Sequence, residues 1–316
     1  MRVDYFREFY APGINNIVAP RGSYNDFKAW VSSGRYQLHS AEENRFSLRI
    51  SDSYAFSQML AHDASRFASA SFETIKILTF PQTLPKSLGW VIVEIYYAAF
   101  FSAHSIFRIF GNSFSFLQRG HLGILKEFSM ASGGQWVMSN KSGSFLGLYD
   151  SREQELNVSK AGNSHEDFWK QFYFFLNTLR ESISHVKGLD SVKQGITLGI
   201  SDIMNGLSKD GKFSGGAWLP HVRNNVNYQH TDGLWYPYTG SAHDTDKLKR
   251  MLELWNTDEF NNLAKIPCKA DIEVFLKACL MVVNFCFRLC NDVDKVSKER
   301  RNCFKMIPGA VIKIAI

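Results

Sequence analysis

Between Ser87 and Phe110 the chain is apolar almost all the way round a helix, and no other stretch narrows the fold as much. A surface helix needs one apolar stripe, whereas a helix apolar on every side must be surrounded, by other helices or by lipid. Glu94, His104 and Arg108 interrupt this run, and a second apolar stretch, Val274 to Leu289, carries Lys277, Asn284 and Arg288. Ionisable groups at mid-bilayer are costly. Both segments therefore read as buried helices of a bundle, and no membrane partner is expected. Within the first run, Glu94, Tyr97 and His104 are the polar interruptions; Glu94 and Tyr97 lie one turn apart, so one flank can turn toward a site while the rest is core. For His104 the simpler reading is a hydrogen-bonded core histidine.

With 45% hydrophobic and 21% charged residues in a chain of 316, wholesale disorder is excluded. The formal charge of +6 and pI of 9.0 favour an acidic partner, nucleic acid or an anionic surface, unless the basic surface binds nothing. Cysteines number five, all in the last fifth of the chain, with four of them at Cys279, Cys286, Cys290 and Cys303. An odd count without framework spacing fits a reducing compartment, and Cys286 and Cys290 fall within an apolar run, where free thiols act as small hydrophobes. No paired Cys or His in a loop offers a zinc site, so neither metal nor cofactor is expected. The opening Met1-Arg-Val-Asp-Tyr-Phe-Arg-Glu is charged from the start and lacks the pattern of a signal peptide, and a cytoplasmic location is expected.

Taken in order, Pro12-Gly13, Pro20-Arg-Gly22 and Ser32-Ser-Gly34 mark turns between short elements. Arg45–Ile50 alternates polar and apolar residues as a strand does, and Ser51-Asp-Ser caps a following helix with Phe56, Met59, Leu60 and Phe67 on one side. Phe72–Phe80 fits strand or helix, with strand preferred. Pro81 and Pro85 break the chain, and a boundary is placed there. Phe116–Met130 is a shorter helix candidate. Residues 131–163, rich in Ser, Gly and Asn, read as a flexible loop insertion. Ser164-His-Glu-Asp167 caps a strong helix to Ile183, and Asp190 starts another to about Leu207, in which Gly195 and Gly199 allow close approach by a neighbour. Their spacing is no phosphate loop, because no Gly-Lys-Ser or Gly-Lys-Thr follows. The last helices run from Asp244 to Trp255 and from Lys269 to Arg300.

The chemistry concentrates in Trp218-Leu-Pro220-His221-Val-Arg223-Asn224-Asn225-Val-Asn227-Tyr228-Gln-His230, framed as one short helix by Pro220 near its start and Gly233 past its end. At about 100° per residue, seven steps bring His230 to within about 20° of Arg223, roughly 10 Å further along the axis, with Asn227 on the same stripe. A fixed cation, an amide and an imidazole on one face suit a phosphodiester flanked by a hydroxyl. The plainer alternative is a solvated or salt-bridged pair on an amphipathic helix. Beyond His230 the aromatic loop Thr231–Gly240 either stacks on unpaired bases or packs on the body of the protein.

Arg223 followed at once by the polar Asn224, and then by His230 after six intervening residues in all, resembles the signature of HEPN domains, an all-helical family that includes many metal-independent ribonucleases. The run Gly89-Trp-Val-Ile-Val-Glu94-Ile-Tyr96-Tyr97-Ala98-Ala99-Phe100-Phe101-Ser102-Ala103-His104 is similar to that family's aromatic, alanine-rich early helix. The resemblance covers residues 86 to the C-terminus and implies a mainly α fold: a HEPN-like helical bundle over 86–316 with a loop-rich insertion near 131–163, beside a smaller N-terminal α or α+β accessory region over 1–85. It also implies Arg223 and His230 as catalytic residues. Asn224, Asn227 and Tyr228 would support them, and Glu94, Tyr97 and His104 would stand behind. His230 would take the proton of a ribose 2′-hydroxyl and Arg223 would hold the phosphate, giving 2′,3′-cyclic phosphate and 5′-hydroxyl ends. Because Arg and His along one helix are too far apart to serve one phosphate, a homodimer that brings two motif helices together is implied. Some relatives carry a Tyr two residues after the His as a modification site; here Asp232 stands there, which puts that control in doubt. The usual settings of the family, toxin–antitoxin pairs and phage defence, imply RNA as substrate and an antitoxin or regulatory partner. The alternative is a non-catalytic RNA- or protein-binding module of the same fold.

Overall fold

The computed structural model of the chain describes residues 1–20, 26–131, 133, 135–139, 141–162, 164–229, 233–236, 244–257 and 260–307. They form a mainly helical protein that also carries one antiparallel five-stranded sheet. At its centre α2 (Ser53–Thr79) and α3 (Gly89–Ile109) run antiparallel, as the contacts Ser71–Ser102, at 2.8 Å, and Asp63–Arg108, at 3.0 Å, establish. Small side chains let the two axes approach: Ala61, Ala64 and Ala68 of α2 and Ala98, Ala99, Ser102 and Ala103 of α3 are all buried. α10 (Asp271–Val296) packs on both and buries Phe275, Leu276, Met281, Phe285 and Leu289. α3 is long and apolar enough to cross a membrane, and 72% of that window is buried inside the protein.

The sheet has the order β1 (Tyr36–Ala41), β2 (Arg45–Ile50), β5 (Glu155–Ala161), β4 (Gly143–Asp150), β3 (Ser113–Leu117), with every pair antiparallel. Phe46 and Leu48 of β2 face the core in register with Val158 and Leu156 of β5, the period of two that a half-buried sheet requires. Much of the stretch read as a loop insertion over 131–163 is therefore sheet: β4 and β5 lie inside it, whereas the described residues between Ala131 and Gly143 have no helix or strand. Part of the Ser and Gly content that reads as loop lies within β4 at buried positions, Gly143, Ser144 and Gly147, and part belongs to the turn, where Asp150 Oδ1 accepts from the backbone of Arg152 at 2.9 Å and Gln154 takes a left-handed φ of 52°.

Two further expectations are corrected. Phe72–Phe80 is no strand; it continues α2, because Phe72, Ile75 and Leu78 recur at helical intervals and all are buried. The boundary near Pro85 divides no two cores, since β2 from the first part pairs with β5 from the second and one apolar cluster runs through both. Remaining helices are α1 (Phe27–Ser33), α4 (Arg119–Ala131), α5 (His165–Ser182), α6 (Asp190–Ser208), α7 (Trp218–Asn224), α8 (Thr245–Leu252) and α9 (Phe260–Ala264). Ser164 and Asp167 form the capping box that starts α5. Close approach in α6 falls at Gly206, where a Cβ would meet that of Ala278 at 2.9 Å, and at Gly199, where it would meet Met1 Sδ at 3.0 Å, but not at Gly195, which has open space around it. Cys279, Cys286, Cys290 and Cys303 are buried free thiols, and Cys286 and Cys290 lie Sγ to Sγ at 4.0 Å.

Candidate functional site

The stretch read as one helix is two structures in series. α7 is α-helical to Asn224, and Asn225–Gln229 then form a π turn. The wider turn undoes the simple angular sum that aligned positions seven apart, and π turns of this kind cluster at functional sites. Val226 is fully buried, and its carbonyl accepts from Trp235 Nε1 at 2.7 Å. His230, the proposed base, lies outside the described residues, as does Asp232.

Arg223 points inward. With Leu219 and Val226 it forms the buried side of α7, and it is 9% exposed. Its guanidinium carbon lies 5.3 Å from the ring centre of Tyr96 and 5.9 Å from that of Tyr97. No carboxylate pairs with it among the described residues, and its Nε has no hydrogen-bond partner there. The reading of Arg223 as a solvated or salt-bridged surface residue is thereby corrected. A buried guanidinium without a counter-charge is unfavourable, and two tyrosine faces offset only part of that.

Tyr96 gathers the rest of the site. Its hydroxyl accepts from Trp169 Nε1 at 3.1 Å and lies 2.8 Å from His165 Nδ1. Burial pushes the phenol above its usual range, while Trp169 and Arg223, through hydrogen bonding and charge, pull it back. His165, the first residue of α5, stacks on Phe100 with 4.4 Å between ring centres and 9° between planes. Burial first, and then the charge of Arg223, lowers its pKa to about 4. His165 is therefore neutral at pH 7.

Among the other predicted residues, Tyr97 joins this group and Glu94 does not: it is exposed and forms no ion pair with Arg223. His104 is a core residue behind the site. It stacks face to face on Phe168 at 4.0 Å and on Phe67 at 4.9 Å, and Arg108 Nη1 donates to its Nδ1 at 3.0 Å. Burial, followed by the charge of Arg108, holds it far below its ordinary pKa. Phe100 separates the two histidines, with its edge toward His104 and its face against His165. Asn224 and Tyr228 are exposed and Asn227 is half-buried, and none of the three hydrogen-bonds to Arg223. Among the described residues no cluster of His, Cys, Asp and Glu is arranged to hold a metal ion.

Sequence reasoning missed His165 and Trp169 altogether and quoted Tyr96 only as half of a tyrosine pair. The usable signal was a histidine at the first position of a helix, where the positive end of the backbone dipole disfavours a protonated ring. Comparison of the chain with known protein families, with curated proteins and with solved structures finds no match.

Proposed function

We propose that the chain is a metal-independent endoribonuclease of the HEPN type, with Arg223 and His230 as its catalytic residues. One observation carries this reading. The two stretches on which the resemblance rests, Tyr96–Tyr97 and the Arg223 helix, are far apart in sequence and meet in the fold, with the guanidinium of Arg223 over both tyrosine rings. A cation held there with no carboxylate partner among the described residues is suited to an anion brought by a ligand, and the positive net charge favours nucleic acid as its carrier.

In this proposal His230 removes the 2′-hydroxyl proton. The 2′-oxygen bonds to phosphorus, the bond from phosphorus to the 5′-oxygen breaks, and that oxygen leaves with a proton. Arg223 offsets the charge of the pentacoordinate transition state. A homodimer brings the motif helices of two copies to one cleft. The biological role is that of a cytoplasmic toxin or phage-defence effector, restrained by an antitoxin or regulatory partner.

The test compares wild type, Arg223→Ala and His230→Ala on one RNA and on its counterpart with a single 2′-deoxyribose at the cleavage position. Cleavage of the RNA alone, with 2′,3′-cyclic phosphate and 5′-hydroxyl ends, and its loss in both variants are expected. Equal cleavage of the deoxy substrate refutes the mechanism. Light scattering that shows only monomer while cleavage persists refutes the shared cleft. The burial of Arg223 favours a second reading, a non-catalytic RNA- or protein-binding module, which predicts that Arg223→Ala weakens binding where there is no cleavage to lose.

A further inference from the structure

We infer that His165 is a fixed hydrogen-bond donor which, together with Arg223, binds a phosphate of the nucleic-acid chain. This rests on the ribonuclease reading for its ligand, but the donor assignment follows from counting protons. The Tyr96 oxygen has one proton and two lone pairs. Trp169 Nε1 can only donate and does so to that oxygen at 3.1 Å, while the Arg223 guanidinium beside the ring adds a positive charge that turns lone pairs, not the proton, toward it. The hydroxyl proton of Tyr96 is thus left for the third neighbour, His165 Nδ1 at 2.8 Å. A neutral ring that accepts at Nδ1 carries its single proton on Nε2.

The ring has little freedom to turn. Phe100 covers one face, and the Tyr97 ring meets it edge-on, 5.9 Å away at 85° between planes. Trp169, Tyr96 and His165 thus form a relay that fixes both the tautomer and the direction of the Nε2–H bond, as a carboxylate or carbonyl does for a metal-bound histidine. His165 is half-buried, within reach of a ligand, and its Nε2 has no hydrogen-bond partner among the described residues. Nε of Arg223, in a side chain more than nine-tenths buried, has none there either. The buried Nε–H of Arg223 and the half-buried Nε2–H of His165, neither with a partner among the described residues, together with the guanidinium charge around one tyrosine, suit an oxyanion. While Tyr96 donates to Nδ1, His165 cannot serve as a base through that nitrogen. It is a binding and positioning residue, and the proton-transfer role stays with His230.

The full chain, with its histidines labelled with nitrogen-15, tests this by NMR at pH 7. The resonances of His165 are expected to show the Nε2–H tautomer and to move on addition of inorganic phosphate and of an all-deoxy oligonucleotide, which cannot be cleaved. Affinity for the oligonucleotide is then measured for His165→Gln, whose amide keeps a donor, and for His165→Phe, which keeps the ring and loses it. The glutamine variant should bind within about threefold of wild type and the phenylalanine variant about tenfold more weakly, the worth of one hydrogen bond to a charged group. A proton found on Nδ1 overturns the inference, as does equal binding by the phenylalanine variant. A response to inorganic phosphate alone overturns the assignment to nucleic acid. The two proposals fail separately: binding through His165 with RNA left intact sinks the nuclease and keeps the pocket, whereas cleavage and binding indifferent to His165→Phe sink the pocket and keep the nuclease.

Discussion

Arg223 burdens the fold at the scale of a single side chain, because its charge is taken from water and no carboxylate among the described residues meets it. Replacing such a group by an apolar one of similar length is typically neutral or stabilising. Arg223→Met should therefore leave the thermal midpoint unchanged or raise stability by about 1–2 kcal/mol while it abolishes oligonucleotide binding; a clear fall in the midpoint by calorimetry contradicts this. The neutral histidines make a second demand. His165 titrates near 4 in the folded chain, against about 6.5 when unfolded. Between those values the unfolded state binds more protons, so the stabilisation is complete above about pH 6.5 and is lost as pH falls toward 4. Burial lowers His104 and His62 too, which adds to the same acid-side loss. Denaturant midpoints measured from pH 7 to pH 4 should fall, and fall less steeply in His165→Gln. The tyrosine pair on α3 and the helical start of the Arg223 stretch were legible in the sequence because each is local. The role of His165 was not, because its surroundings come from α3 and α7, far away along the chain.

Among the elements, the β4–β5 hairpin decides most and was hidden best. Its large buried side chains are few, Leu156 and Val158 on β5 and Phe145 and Leu146 on β4, and they are interspersed with Ser, Gly, Asn and Lys that carry no strand signal of their own. Only the neighbouring β2 shows why they belong to a sheet. Leu156→Ala opens a cavity beneath the paired strands and should cost about 2–4 kcal/mol by urea unfolding, whereas a cost below about 1 kcal/mol would mean that the hairpin contributes little. The end of α2 was misread for the complementary reason. Phe72, Thr74 and Ile75 favour strands by propensity, and packing on α10 and on Trp255 overrides it. The apolar run that became α3 was legible, since a helix without a wet face can sit only in the middle of a bundle. The π turn after Asn224 was not, because no residue type marks it.

For the whole molecule, the sheet makes the first fifty residues structural, not accessory. β2 lies between β1 and β5, and removing it leaves the long edge of β5 unpaired and uncovers the apolar face that Phe46 and Leu48 close. A chain beginning at Ser53 should aggregate or lose its near-ultraviolet circular dichroism. A monomeric, cooperatively unfolding fragment of that length contradicts this. The same pairing sets a timetable for the newly made protein. Phe46 and its partner Val158 are roughly 110 residues apart, so at about 5–20 residues per second the N-terminal hairpin waits on the order of ten seconds on the ribosome before its mate is synthesised. Throughout that interval it presents a sticky, half-finished ribbon to whatever surrounds the ribosome, which makes the nascent chain a natural client for a chaperone that shields it until translation catches up.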